Sequence, residues 1–356
     1  MKIADIPVSV LKTVRAGTVI PAHPLVLDAN RKFDPRGQKV LTRYYVDAGV
    51  GGLAVGVHTT QFEIRQPGID LYKPVLQLAS ETIDQQCRKR GCEILKVAGV
   101  CGKTDQALRE ATLAQSLGYH ACLLSLSAWK DGSVDDMLAH CRKVAEVMPL
   151  IGFYLQPAAG GRLLPYEFWR GFAEIDNVLA IKMAPFNRYQ TLDVIRGVCD
   201  AGRHEAITLY TGNDDNIVVD LLQEYCIRGP YGERRARIRG GLLGHWAVWT
   251  SKAVELLNRL HKIAAANKPI PPEMLTLAAA ITDCNAVFFD AANGFAGCIP
   301  GIHEVLRRQG LMSNILCLNP HEQLSPGQAA EIDRVYRLYP ELHDDAFVRA
   351  HLAQWQ

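Results

Sequence analysis

Residues 150–156, LIGFYLQ, and 178–184, VLAIKMA, are two short, nearly continuous apolar runs, and between them PYEFWRGFAE (165–174) carries apolar residues at helical spacing. A strand without a polar face has to be buried on both sides, which is the condition of a parallel strand covered by helices. The same unit recurs in both directions along the chain. Further runs lie at 17–21 (GTVIP), 52–57 (GLAVGV), 93–99 (EILKVAG), 121–127 (ACLLSLS), 207–212 (ITLYTG) and 240–246 (GGLLGHW). Helical patterns lie at 36–48, 72–90, 105–117, 134–147, 188–201, 216–226 and 247–266. Eight strands, each followed by a helix, predict an α/β protein built as a (β/α)8 TIM barrel. An open doubly wound sheet is the second reading, weakened by the lack of a GxGxxG after the first strand.

The pattern breaks near Asn267 at KPIPP (268–272), after which 273–290, 300–309, 325–338 and 343–354 read as helices. The chain of 356 residues therefore divides into a barrel over 1–267 and a C-terminal helical extension over 268–356. A net charge of +2 offers no excess positive charge for nucleic acid or an anionic membrane, so a small molecule is the expected partner. No apolar run approaches the roughly 20 residues that cross a bilayer. Ten cysteines are scattered with no CxxC pair, many inside apolar runs, as expected of free thiols in a reducing, cytoplasmic setting. The charge run GERRARIRGG (232–241) precedes strand eight, which puts it on the N-terminal face as a solvated or subunit-contact surface.

Barrel chemistry sits at the C-terminal ends of strands. Period-2 alternation along VLAIKMA groups Leu179, Ile181 and Met183 on one face and Ala180, Lys182 and Ala184 on the other. With the large apolar set turned to the helices, Lys182 points into the barrel. Desolvation lowers the pKa of such an amine from about 10.4 toward neutrality and makes it a nucleophile; the plain alternative is a lysine that snorkels to solvent or pairs with a buried acid. The same arithmetic in strand five turns Ile151, Phe153 and Leu155 outward and Gly152, Tyr154 and Gln156 inward, placing a phenol beside the amine as a proton carrier, with a core tyrosine hydrogen-bonded to a backbone carbonyl as the plain alternative. Strand two ends in GVHTTQFE, whose His58, Thr59 and Thr60 offer donors for a carboxylate. Gly212, at the strand-seven turn, is grouped with them as a substrate-binding position. With Gly244 it is all there is of a phosphate nest, which leaves a phosphate-binding barrel isomerase as a weaker reading.

These residues resemble the dihydrodipicolinate synthase and N-acetylneuraminate lyase family of Schiff-base aldolases. The resemblance runs from GTVIPAHPLVLDANRKFD through DAGVGGLAVGVHTT, AGVCGKT, GFYLQP, NVLAIKMAP and LYTGNDD to GGLLGHWAVW. Its most specific part is the FYLQP and AIK pair, with 182 − 154 = 28 residues between tyrosine and lysine. The resemblance implies that Lys182 is the Schiff-base lysine, that Tyr154 is the catalytic tyrosine, and that Thr59 and Thr60 grip the keto-acid carboxylate. It also implies a homo-oligomer, a tetramer or dimer. Where the family has glycines this chain has His58 and Gln61; the usual Asn is Leu155, the arginine that recognises a second substrate is Ala159, and Ser127-Ala128-Trp129 replaces an aromatic segment. Arg162, three residues past Ala159, is expected to face solvent.

The function expected is a lyase joining Lys182 to pyruvate or a related 2-keto acid as an imine and making or breaking a C–C bond with an aldehyde. The imine is itself the electron sink, so neither metal nor nicotinamide is called for. A 2-keto-3-deoxy sugar-acid dehydratase using the same lysine is the alternative within the fold, and a barrel that only binds is the alternative outside it. With no cation at Ala159, an uncharged aldehyde suits the chain better than aspartate semialdehyde.

Overall fold

The computed structural model describes every residue except 158–159, 230–231 and 267, so the expectations attached to Ala159 and to the boundary at Asn267 fall outside the described residues. The chain opens with α1 (Val8–Ala16) and β1 (Val19–Pro21) and alternates through α2 (Pro35–Asp47), β2 (Gly52–Val55), α3 (Tyr72–Arg90), β3 (Leu95–Val100), α4 (Thr104–Ser116), β4 (Ala121–Leu124), α5 (Val134–Val147) and β5 (Leu150–Leu155). It continues with α6 (Tyr166–Ala173), β6 (Val178–Ala184), α7 (Arg188–Asp200), β7 (Thr208–Thr211), α8 (Ile217–Leu222), β8 (Glu224–Gly229), β9 (Gly232–Leu243) and α9 (Thr250–Ala265). Four helices follow: α10 (Glu273–Phe288), α11 (Cys298–Arg308), α12 (Gln328–Leu338) and α13 (Asp345–Trp355).

Eight strands pair in parallel in the order β1-β9-β7-β6-β5-β4-β3-β2, and a parallel bridge between Ala22 and Ala54 brings the two ends of the sheet together. This is the expected (β/α)8 barrel with its C-terminal helices. Two apolar layers follow from the geometry. An inner one fills the barrel with residues such as Leu95, Leu123, Ile151, Leu179 and Leu242, and an outer one lies between strands and helices. The helix α1, which the sequence pattern does not announce, adds Val10 and Val14 to the inner layer, and the Tyr210 hydroxyl donates to the Val14 carbonyl at 2.8 Å. All ten cysteines are unpaired, and no helix among the described residues is long and apolar enough to cross a membrane.

Two expectations about elements are corrected. The helix expected over 216–226 ends at Leu222, and residues from Glu224 form β8, antiparallel to the first half of β9. The Arg-rich run is thus a strand. Its alternate arginines pair with the acid across the hairpin, Arg235 to Glu224 at 2.7 Å and Arg237 to Glu224 at 3.3 Å. The second correction concerns facing. On β6 the register jumps, Val178 lying opposite Leu150 and Ala180 opposite Ile151, so Leu179 is the extra residue of a bulge and joins the inner layer instead of facing helices. Beyond the bulge the alternation holds, with Ile181 and Met183 in the outer layer.

Candidate active site

Lys182 lies toward the C-terminal end of β6, where its inward face is shared by Ala184. A Cβ on Gly212 would meet Lys182 Cε at 2.7 Å, so the lysine stem crosses the turn after β7 only because residue 212 is glycine. The amine sits 4.5 Å from the centre of the Phe153 ring, the residue opposite it in the β5–β6 register. Lys182 is buried, and this desolvation lowers its pKa from the ordinary lysine value while the Asp214 carboxylate partly restores it. Both expectations for this lysine meet here: it is inward, and a buried acid shares its cavity.

Asp214 is held from several sides. Its carboxylate accepts the His245 backbone N–H at 2.8 Å. The turn that carries it is braced by the buried Asp220 of α8, which accepts from Thr211 Oγ1 at 2.7 Å and from Asn213 Nδ2 at 3.0 Å. Burial raises the Asp214 carboxyl above the usual carboxylate range, against the opposing pull of the His245 N–H and of Lys182. His58 is pushed down to about 4, by burial first and by the Lys182 charge second, so its imidazole is neutral near pH 7.

The loop after β2 is tied down by Arg65. Its Nη2 donates to the carbonyls of Gly56 (3.0 Å) and Gly99 (2.8 Å), and its Nε reaches Glu110 at 3.0 Å in a pair that is buried on both sides. Of the threonine pair, Thr59 lines the cavity, and its buried Oγ1 has no hydrogen-bond partner among the described residues. The Thr60 hydroxyl is spent within the loop, donating to the His23 carbonyl at 2.7 Å and accepting from Gly56 N–H at 2.9 Å. Gly212 also lines the cavity, though its N–H is committed to the Met183 carbonyl at 2.6 Å, so it contributes space rather than a donor.

Tyr154 is placed elsewhere. Its ring packs 5.4 Å from that of Trp169 on α6, and its hydroxyl accepts from the Leu164 N–H at 3.2 Å. The inward set on β5 is Ile151, Phe153 and Leu155, the reverse of the expected facing. The reason is that both faces of this strand are apolar environments. Gly152 faces α6, where a Cβ would meet the Phe172 ring at 2.7 Å so that only glycine fits, and Ile151, Phe153 and Leu155 turn to the barrel interior. Arg162 is likewise not free in solvent, since its Nη1 donates to the carbonyls of Trp129 and Gly132, the latter at 2.9 Å.

His58, Thr59, Phe153, Lys182, Gly212 and Asp214 line a cavity of about 140 Å³ at the C-terminal ends of the strands. A larger cavity, about 290 Å³, lies between α9 and α10 and has no buried amine in its wall. The functional-site wall also includes Asp214, Phe186, Phe289, Phe295 and Cys298, none of which the sequence reading singled out. Asp214 carries a usable signal, an acid two residues beyond a glycine at a strand end. The last three come from the C-terminal segment, whose path over the barrel mouth has no local signature.

The Dihydrodipicolinate synthetase family model matches residues 16–224, more than half of the 356. N-acetylneuraminate lyase 2 of Escherichia coli O6:H1 is 21% identical over 330 residues, covering 92% of this chain and 94% of that protein. Among solved structures, a prophage protein of the dihydrodipicolinic acid synthase family from E. coli K12, in complex with pyruvate, superposes with a TM-score of 0.72 at 18% identity, covering 92% and 98% of the two chains. N-acetylneuraminate lyase from Fusobacterium nucleatum, complexed with pyruvate, does so with a TM-score of 0.68 at 13% identity, covering 91% and 97%. With its barrel, its terminal helices and this match, the chain belongs to the dihydrodipicolinate synthetase family of class I aldolase-type lyases.

Proposed function

We propose that Lys182 forms an imine with the C2 carbonyl of pyruvate or a related 2-keto acid, and that the chain makes or breaks a C–C bond at C3. The observation that carries this is a lysine amine buried in a cavity whose wall also holds a threonine hydroxyl with no partner among the described residues; that burial lowers the amine pKa. A neutral amine attacks the carbonyl, and the resulting iminium withdraws electrons from C3 so that a proton or a carbon substituent can leave. Thr59 Oγ1 donates to the carboxylate. The two relatives solved with pyruvate support this class of ligand.

Because the Tyr154 hydroxyl faces α6, proton transfer falls to groups in the cavity wall. Asp214 is suited to it, as a carboxyl raised by burial can both hold and release a proton near neutral pH; His58, neutral and in the same wall, is the second such group. Treatment with pyruvate and borohydride should fix one reduced pyruvyl group per chain on the peptide containing Lys182. Label on a different lysine would move the imine away from Lys182, and none with a panel of 2-keto acids would leave a barrel that only binds.

A further inference from the structure

Resting on the imine reading of Lys182, we infer that the carbonyl partner joined to or released from C3 is an aromatic aldehyde. Four phenyl rings, from four separate parts of the chain, line one small cavity: Phe153 on β5, Phe186 in the turn after β6, Phe289 after α10 and Phe295 before α11. Phe186 and Phe295 meet edge to face at 5.9 Å and 75°. Both have positive φ, 52° and 70°, a region in which a bulky residue is rare. Each is fixed there by its own N–H, that of Phe186 donating to Asn213 Oδ1 and that of Phe295 to the Asp290 carbonyl, both at 3.0 Å. Backbone held in such a region tends to mark a working surface.

Asp214 and His58 share the cavity wall with Lys182, Asp214 raising the amine pKa and the Lys182 charge lowering that of His58, and so both belong to the reacting end. Among the described residues of the wall, Lys182 is the one lysine or arginine, and its charge as an iminium is matched by the carboxylate of the 2-keto acid. A second carboxylate or a phosphate on the partner would therefore be buried without a counter-charge. Arg162, seven residues past the end of β5, is committed to backbone carbonyls. A polyhydroxylated chain fares little better: once His58, Thr59, Lys182 and Asp214 serve the reacting end, Gln156 is the one polar side chain among the described residues of the wall that is left to it, and its other hydroxyls, desolvated against phenyl rings, lose water and gain no hydrogen bond. A planar ring, by contrast, packs offset or edge to face on such walls. The cavity of about 140 Å³ is small beside the roughly 300–1,000 Å³ of pockets for drug-sized ligands, which limits the partner to a single ring.

The step balances without an oxidant. The iminium loses a C3 proton, the enamine pair attacks the aldehyde carbon to form the C–C bond, and the carbonyl oxygen takes up a proton. One water then hydrolyses the iminium, freeing Lys182 and a 4-aryl-4-hydroxy-2-oxobutanoate. Cleavage is the same sequence reversed.

The test measures kcat/KM of the full chain with pyruvate and, in turn, benzaldehyde, glyceraldehyde and aspartate semialdehyde, with borohydride trapping of pyruvate in parallel. Benzaldehyde should exceed both others by tenfold or more. Phe295→Ser should lower that ratio about tenfold. Trapping on Lys182 with equal or better use of glyceraldehyde or aspartate semialdehyde, with no aldehyde turned over, or with an unchanged ratio in Phe295→Ser, overturns the aromatic partner and leaves the imine standing. Failure of trapping itself removes the imine, and the partner with it.

Discussion

Lys182 and Asp214 face one cavity from neighbouring strand ends, and each works against what burial does to the other. Burial disfavours both charges, lowering the amine and raising the carboxyl, while their mutual attraction moves both back toward ordinary values. The nucleophile is the neutral amine, so the rate of imine trapping should climb as pH rises through the folded-state lysine pKa and level off well below the range of an exposed lysine. Replacing the carboxylate by an amide, in Asp214→Asn, removes the group that holds the ammonium form. The amine pKa then falls further, and the pH profile of trapping moves to lower pH. A profile that stays in place, or moves to higher pH, would show that the two groups do not titrate together. Gly212 belongs to the same account, since its missing side chain is the space that the lysine stem occupies.

At the scale of the element, β5 decides which of its aromatic residues faces the cavity. Phe153 is inward and Tyr154 is packed against Trp169 of α6. Tyr154→Phe should therefore keep turnover within about threefold of the parent, where loss of a general acid–base group costs about 10²–10⁴-fold. Its measurable effect should be on stability, about 1 kcal/mol for the lost bond to the Leu164 N–H, read from denaturant titration. A loss of turnover of 10² or more in a folded variant would put the hydroxyl back in the mechanism. The strand also shows what a sequence can and cannot disclose. That LIGFYLQ is a strand follows from its continuous apolarity, and Lys182 could be turned inward because one polar residue among six apolar ones has a single tolerable site. In β5 two apolar sets compete for two apolar faces, and the choice is made by the bulge against β6 and by Phe172 lying over Gly152. The β8–β9 hairpin was hidden for a different reason: its stabilising pairs are charges across strands, which in sequence look like a solvated run.

For the whole molecule, the question is whether the terminal helices fold with the barrel or beside it. Their packing argues for one cooperative unit. Trp355 of α13 is fully buried and its Nε1 donates to Asp47 Oδ2 of the barrel helix α2 at 2.7 Å. The buried Asp344 accepts from the Tyr44 hydroxyl of α2 at 2.8 Å, from the Ser251 N–H of α9 at 3.0 Å and from Gln309 at 2.7 Å. A single apolar cluster runs from Leu41 and Tyr44 through Leu306 and Val348 to Trp355, with no break between barrel and extension. Phe295, before α11, and Cys298, the first residue of α11, also line the cavity, so the site is complete only when both parts are in place. Truncating Trp355 to alanine removes a large buried side chain and should cost about 3–5 kcal/mol of stability. In denaturant titrations of the parent and of Trp355→Ala, near-UV circular dichroism and catalytic activity should fall together in one transition, shifted to lower denaturant in the variant. Two separated transitions, with the barrel outlasting the extension, would show instead that the C-terminal helices are an independent unit and that their contribution to the cavity wall is dispensable for folding.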